Sequence, residues 1–304
     1  MALASAARAE TQPSTPVYRV ATVGADPTQV WDAFDRRLRE LGYVEGGNLM
    51  LDRRWSHGYE DRLPTLMNEA LRARPDVLIT STLPPAPQVE ARQCVPILAI
   101  AVWEPYGSCP ISPVARMSQA SSARDVGAMH WKLARSAFPA AARLAVLTDS
   151  DRPFLVAYVR ELQAAAAAAA GITLHVLDVS GDPDLGRLAS AIKQAAPDLL
   201  LVGPSFMPPD SRRQILRFAR SRGIPSIGSH VADGVVIAAD YDWAQLARRT
   251  ADLVDQILKG ADTSAVLSIA APAKFEIAID ERIARSLGVT IPQSVRAQAD
   301  RVLN

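Results

Sequence analysis

Four histidines, His57, His130, His175 and His230, are the residues of this 304-residue chain best suited to move protons near neutral pH. None stands in H-E-x-x-H or next to a second ligand at metal spacing, so no metal site is expected. His130 lies beside Trp131 in a helical pattern and reads as structural. His175 falls inside a strand pattern and reads as packing, and His57 sits in a Ser-His-Gly turn and reads as solvated. His230 differs, because it falls just past a strand end, where loops carry function. With Glu104 or Asp240 it forms the one acid/base pair worth testing for a cleft enzyme of racemase or sugar-processing type. Other chemistries lack their motifs. After the first strand the chain offers only Gly24-Ala25-Asp26, without the second glycine of a dinucleotide fingerprint. No phosphate loop and no G-x-S-x-G elbow occur; Gly228-Ser229-His230 comes nearest and lacks the context. Neither catalytic residues nor a cofactor are expected. Cys94 and Cys109 are too few for structural zinc; they are either a bridge or buried thiols.

The elements that must position such residues alternate along the chain. Residues 17–23, 48–54, 76–80 and 95–102 are apolar or β-branched strand candidates, with helical patterns from Asp26-Pro27 to Leu41 and over 62–71. The pattern lapses over 103–122, which is rich in Pro, Gly and Ser and reads as a loop at a boundary. It restarts with helices at 123–137, 153–170, 185–194, 209–222 and 243–259, and strands at 143–147, 172–177, 199–202, 225–227, 234–238 and 275–279. Two short helices are expected in the tail. The seven alanines ending the second of these helices are strong helix formers, and Gly171 stops them. Continuous apolar strands separated by helices predict an α/β protein with parallel sheets covered on both faces.

Length favours two domains. Hydrophobic residues make up 49% and charged residues 21%, enough for real cores. A formal charge of +1 leaves no electrostatic footprint for nucleic acid. No apolar run approaches the ~20 residues of a membrane span, so direct membrane insertion is not expected. Ala7-Arg8-Ala9 has the A-x-A form of a signal-peptidase site, ahead of a polar Pro-containing stretch. Residues 1–16 are thus either the remnant of an export signal or an Ala-rich frayed start.

The run Leu-Arg-Glu-Leu-Gly-Tyr-Val-Glu-Gly-Gly-Asn at 38–48 resembles a segment of the periplasmic solute-binding proteins of ABC transporters. The branch is the one that includes tryptophan- and aromatic amino acid-binding proteins. Asp61-Arg62-Leu63-Pro64, Asp76-Val77-Leu78-Ile79, Ile257-Leu258-Lys259-Gly260 and Pro272-Ala273-Lys274-Phe275-Glu276 follow in the same order. So do Ala284-Arg285-Ser286-Leu287-Gly288-Val289 and a tail from Ile291-Pro292 to Ala299-Asp300. The resemblance implies a type I periplasmic-binding fold: two doubly wound parallel-sheet lobes with a cleft between them. By that analogy 17–115 plus 241–262 form the first lobe and 116–240 plus 263–304 the second. It also implies a periplasmic or secreted monomer that binds a small molecule and serves a membrane permease. A ligand-sensing module of the same fold is the alternative. An effector domain of a transcription regulator would need a helix-turn-helix, for which residues 1–16 are too short. Departures from the family pattern fall at expected cleft loops: Trp103-Glu104-Pro105, the stretch 113–118, Asp233-Gly234 and Ala239-Asp240.

Ligands of open parallel sheets bind outside the strand carboxyl ends. In the first lobe that rule selects Gly24, Ala25 and Asp26; Ser81, Thr82 and Leu83; and Trp103, Glu104 and Tyr106. In the second it selects Asp149, Ser150 and Arg152; Ser205 and Phe206; and Ser229 and His230. Asp240 and Tyr241 lie near a predicted crossover. This set suits a small zwitterion with an apolar body. Hydroxyls, helix-start amides and Arg152 would hold a carboxylate, and Glu104 or Asp240 an amine. Trp103, Tyr106 and Phe206 would pack on the apolar part.

Overall fold

A computed structural model describes residues 16–24, 29–57, 62–80, 95–99, 114–116, 123–151, 153–179, 184–204, 207, 209–261 and 274–304. The chain divides into two compact units. Unit 1 comprises Met1–Ala99, Ser108–Ala115 and Ala247–Ser268; unit 2 comprises Ile100–Gly107, Arg116–Leu246 and Ile269–Asn304.

Unit 1 is built on β1 (Tyr18–Gly24), β2 (Leu49–Trp55), β3 (Val77–Thr80), β4 (Ile97–Ala99) and β5 (Val114–Arg116), in the order β2-β1-β3-β4-β5. The β1–β2, β1–β3 and β3–β4 pairs are parallel. Strand β5 lies where the sequence reads as loop; three residues leave no periodicity to detect. The alternation of β1 divides its side chains. Ala21 and Val23 join Leu63, Met67, Ala70 and Leu71 of helix α2 (Leu63–Arg72) and Leu78 in one core cluster. Thr22, between them in sequence, points to the other face and is also buried. Helix α1 (Gln29–Glu40) buries Trp31, Phe34 and Leu38 at three- and four-residue spacing. It ends at Gly42, whose φ of +93° is the left-handed conformation glycine adopts freely, and Tyr43 N–H closes the turn on Leu38 O at 3.0 Å. The C-terminal part of helix α7 (Trp243–Leu258) belongs to this unit and is tied to α1. Arg37 donates to Asp252 at 2.7 Å, Arg248 to Glu40 at 2.8 and 2.9 Å, and Tyr43 Oη to Asp255 at 3.0 Å.

Unit 2 holds a seven-stranded sheet in the order β12-β11-β10-β9-β8-β6-β7. Its strands are β6 (Arg143–Thr148), β7 (Thr173–Asp178), β8 (Leu199–Val202), β9 (Ser226–Gly228), β10 (Ile237–Tyr241), β11 (Phe275–Asp280) and β12 (Arg301–Leu303). From β7 to β10 all neighbours are parallel, whereas β11 runs antiparallel to β10 and β12 parallel to β11. Leu144–Leu147 and Leu199–Leu201 are fully buried, as central strands covered on both faces must be. Helices α3 (Ala123–Ala137) and α4 (Pro153–Ala167) pack together so closely that a Cβ at Gly127 would sit 3.1 Å from Tyr158 O. Helix α5 (Leu185–Ala195) is capped by Asp184, which accepts from Gly186 N–H at 2.8 Å and Arg187 N–H at 3.2 Å. Helix α6 (Pro209–Ser221) and the short tail helices α8 (Glu281–Ser286) and α9 (Gln293–Arg296) complete the unit.

Strand β10 begins three residues later than the sequence predicts. A single 3-10 turn at Val231–Asp233 and Gly234, at φ +97°, occupy the start of the predicted strand. Asp240 and Tyr241 therefore lie at the end of β10, a few residues before the chain passes from unit 2 to unit 1 between Leu246 and Ala247. No helix among the described residues is long and apolar enough to cross a membrane.

Candidate functional site

At the carboxyl edge of unit 2, β6 ends at Thr148, β8 at Val202, β9 at Gly228 and β10 at Tyr241. Gly228 is in register with Ala238, so β10 extends past β9 and sets Asp240 alongside the Ser229-His230 loop. Asp240 is only 7% exposed. Its Oδ1 accepts the Tyr241 N–H at 2.8 Å. Burial pushes the carboxyl above the usual aspartate range, because a charge is poorly solvated there. His230 pulls it back, as do the Tyr241 N–H, the Trp243 side chain and the Ser229 hydroxyl. Ser229 Oγ is itself buried without a hydrogen bond of normal geometry, so it acts on Asp240 as a nearby dipole. The structure thus brings His230, Ser229 and Asp240 together. Tyr241, on the same strand, is buried: its ring stacks on Phe275 at 4.5 Å and meets Trp243 edge-on at 6.3 Å.

Two buried polar arrangements hold this edge. Arg212, near the start of α6, pairs with Asp233 through Nε at 2.6 Å and a second nitrogen at 3.2 Å, and donates to Met207 O at 2.8 Å. It thereby fixes the turn that follows His230. His130 on α3 is fully buried. Its Nε2 lies 2.9 Å from Ala239 O and its Nδ1 2.8 Å from Tyr158 Oη. A carbonyl can only accept, so Nε2 carries the proton and the Tyr158 hydroxyl donates to Nδ1. Burial lowers the imidazole to about 4, against a small opposing pull from the Ala239 carbonyl. His130 thus anchors the residue just before Asp240.

At β6, Thr148 Oγ1 is buried with no hydrogen-bond partner. Asp149 accepts the Asp151 N–H at 3.0 Å and shapes the loop, while Ser150 donates its N–H to Asp178 at 3.0 Å. The described part of the carboxyl edge of unit 1 carries hydroxyls and indole rings. Gly24 is buried, and its carbonyl accepts the Ser56 N–H at 2.9 Å. Thr22 Oγ1 and Ser56 Oγ are buried without partners, and the Trp31 and Trp55 rings lie 5.1 Å apart. Ala25, Asp26, Ser81, Thr82, Leu83, Cys94, Trp103, Glu104, Tyr106, Cys109, Arg152, Ser205 and Phe206 lie outside the described residues. Among the described residues no three His, Cys, Asp or Glu side chains converge as a metal requires.

Sequence reasoning missed Thr22, Ser56, Thr148, Arg212 and Trp243. A hydroxyl at or just before the last position of an apolar parallel strand is the signal that would have found Thr22 and Thr148. An open depression of about 520 Å³ in unit 2 is lined by Arg220, Gly234, Asp280 and Arg282 among others. It lies at the opposite, amino edge of β10, where Asp280 N–H bonds Val236 O.

The sequence profile described as ABC transporter substrate binding protein matches residues 27–303. No curated protein sequence matches the chain. Among solved structures, a conserved domain protein from Vibrio cholerae is 22% identical, with 94% of this chain and 99% of that one covered at a TM-score of 0.76. An ABC domain from Streptococcus pneumonia, crystallised in complex with L-Trp, is 18% identical, with 94% and 100% covered at a TM-score of 0.74. A leucine-binding protein from Thermotoga maritima is 16% identical, with 83% and 86% covered at a TM-score of 0.64. At these identities the likeness establishes the fold, the type I periplasmic-binding architecture.

Proposed function

Because the chain belongs to the ABC transporter substrate binding proteins, we propose that it captures a small solute outside the cytoplasm and hands it to a membrane permease. The family match along residues 27–303 carries this reading. The solute is an amino acid or related small acid, in keeping with the L-Trp complex of the streptococcal neighbour. Capture uses the carboxyl-edge loops of both units, and the units close on the solute as rigid bodies about the connecting segments. Closure needs a solute that binds the closed state better than the open one. The protein acts as a monomer and performs no chemistry on its solute.

Buried hydroxyls without partners at the strand ends support this use of the edge. Thr148 Oγ1 and Ser229 Oγ in unit 2, and Thr22 Oγ1 and Ser56 Oγ in unit 1, forgo hydrogen bonds that water would supply in the unfolded chain. A polar solute restores such bonds on binding. The test is a thermal-shift screen of amino acids and small carboxylic acids, followed by small-angle scattering with the best of them. A matching solute raises the melting temperature and lowers the radius of gyration. A solute that raises the melting temperature with no compaction refutes closure, and a screen without any shift refutes the reading as a whole.

A further inference from the structure

We infer that the depression at the amino edge of β10 is a second binding site, for a small organic phosphate monoester held by Arg220 and Arg282. It lies in unit 2 on the edge away from the carboxyl-edge loops, so it stands independently of solute capture. Its volume of about 520 Å³ falls in the range of small-molecule sites, roughly 300–1,000 Å³. Arg220 sits in the last turn of α6 and is partly buried, with Nη1 4.0 Å from the place a Gly234 Cβ would take. Among the described residues its guanidinium has no ion-pair or hydrogen-bond partner. A helix C-terminus favours a cation through its dipole, but the last carbonyls of α6 are already engaged. Those of Phe218, Ala219 and Arg220 accept from Ser221 Oγ, from the Arg222 and Ile224 N–H groups and from the Gly223 N–H. The Arg220 guanidinium thus offers five donors, in a fork that fits an oxyanion, to whatever enters the depression.

Arg282 supplies the second cation. Its Nε and Nη2 reach Asp280 at 3.2 and 2.7 Å, and among the described residues nothing takes Nη1, in a side chain 61% exposed. Asp280 does little to repel an anion. Its side chain is 4% exposed, and Oδ1 also accepts the Arg282 and Ile283 N–H groups at 3.0 and 3.1 Å. The other carboxylates on α6, the 3-10 turn and α8 are paired too: Asp210 with Arg213, Asp233 with Arg212, and Glu281 with Arg296. Arg217, exposed one turn before Arg220, adds positive charge, and the surplus favours a dianion. The terminal oxygens of a phosphate monoester accept from two guanidiniums at once, whereas one guanidinium fills both oxygens of a carboxylate. Val231, Ala232 and Ile283 supply carbon surface for the organic part. The turn beneath is held in place by the Arg212–Asp233 pair and by the Gly234 N–H on Val231 O at 2.9 Å, so little ordering is needed on binding.

The experiment compares glycerol phosphate and phenyl phosphate with inorganic phosphate, citrate and sodium chloride at equal ionic strength. Thermal shift and calorimetric titration are read on the full chain at about pH 7.5, where a phosphate monoester is mostly dianionic. The expected result is a shift from at least one monoester beyond that of the chloride, of inorganic phosphate and of citrate. Arg220→Gln melts as the wild type does in chloride, because the lost guanidinium has no partner, and binds that monoester roughly ten- to hundredfold more weakly. Ala232→Glu, which sets a carboxylate of the chain's own in the depression, abolishes binding. Arg160→Gln, which removes an exposed cation from α4, keeps it, and so does Thr148→Val at the carboxyl edge. Vesicles of phosphatidylglycerol, a phosphodiester, leave the protein in solution. No shift beyond chloride, equal binding of inorganic phosphate or citrate, or full binding by Arg220→Gln overturns the inference. So does loss of binding in Arg160→Gln or Thr148→Val, or Arg220-dependent capture by the vesicles. A protein that binds the monoester through Arg220 and no amino acid or small carboxylic acid at all upholds this inference and removes the solute-capture reading alone.

Discussion

The two carboxyl edges use different chemistry. In unit 1 the described edge includes two unpartnered hydroxyls, Thr22 and Ser56, and the Trp31–Trp55 contact. In unit 2 the edge carries Asp240 next to His230, braced by the Arg212–Asp233 pair and by His130. An unpaired buried hydroxyl costs less than an unpaired buried carboxylate and can bond many solutes, whereas a buried carboxylate demands a particular partner.

The largest effect expected from disturbing this contrast lies in unit 2. Arg212→Ala strands the Asp233 carboxylate, whose side chain is 8% exposed, and should cost about 3–5 kcal/mol of stability in urea unfolding. Replacing both partners with Met and Leu should recover most of that loss; equal loss in the double variant would show that the pair is not the cause. Next comes acid sensitivity. His130 titrates at about 4 when folded against 6.5 as its ordinary value. A depressed basic group stabilises the fold above 6.5, and that contribution is lost as pH falls toward 4, about 3 kcal/mol in all. Unit 1 answers at lower pH, because Arg248 and Arg37 hold Glu40 to about 2 from 4.5. Its contribution persists until the pH falls below 4.5. Hydrogen exchange across this range should show α3 and β10 opening before α1, and His130→Gln should abolish that order. A smaller effect, about 1–3 kcal/mol, is expected for Gly127→Ala, because the new methyl meets Tyr158 O across the helix contact. The smallest belongs to Ser56→Ala and Thr148→Val. Both should leave solute-free stability within about 1 kcal/mol of wild type while reducing the solute-induced thermal shift.

Much of the fold was legible because parallel strands covered on both faces read as apolar runs. Residues 143–147 and 199–202 mark β6 and β8 almost to the residue, and Val30, Phe34, Leu38 and Leu41 mark α1. Failures came where local geometry overrides pattern. Gly234 in the left-handed region delays β10, and that delay moves Asp240 into the strand. The three-residue strands β5 and β12 are too short to carry a period. The site was harder to see. Thr22 looks like any β-branched strand residue, and Arg212 like a solvated charge on an amphipathic helix. Only tertiary packing distinguishes an unpartnered hydroxyl from a satisfied one, or a buried ion pair from a surface one.

Native mass spectrometry of the gently purified full chain tests solute capture most directly. The account predicts one small adduct of constant mass, displaced by the amino acid or small carboxylic acid that gives the largest thermal shift. A bare chain in every preparation, with no metabolite able to add to it, would contradict the account at its root.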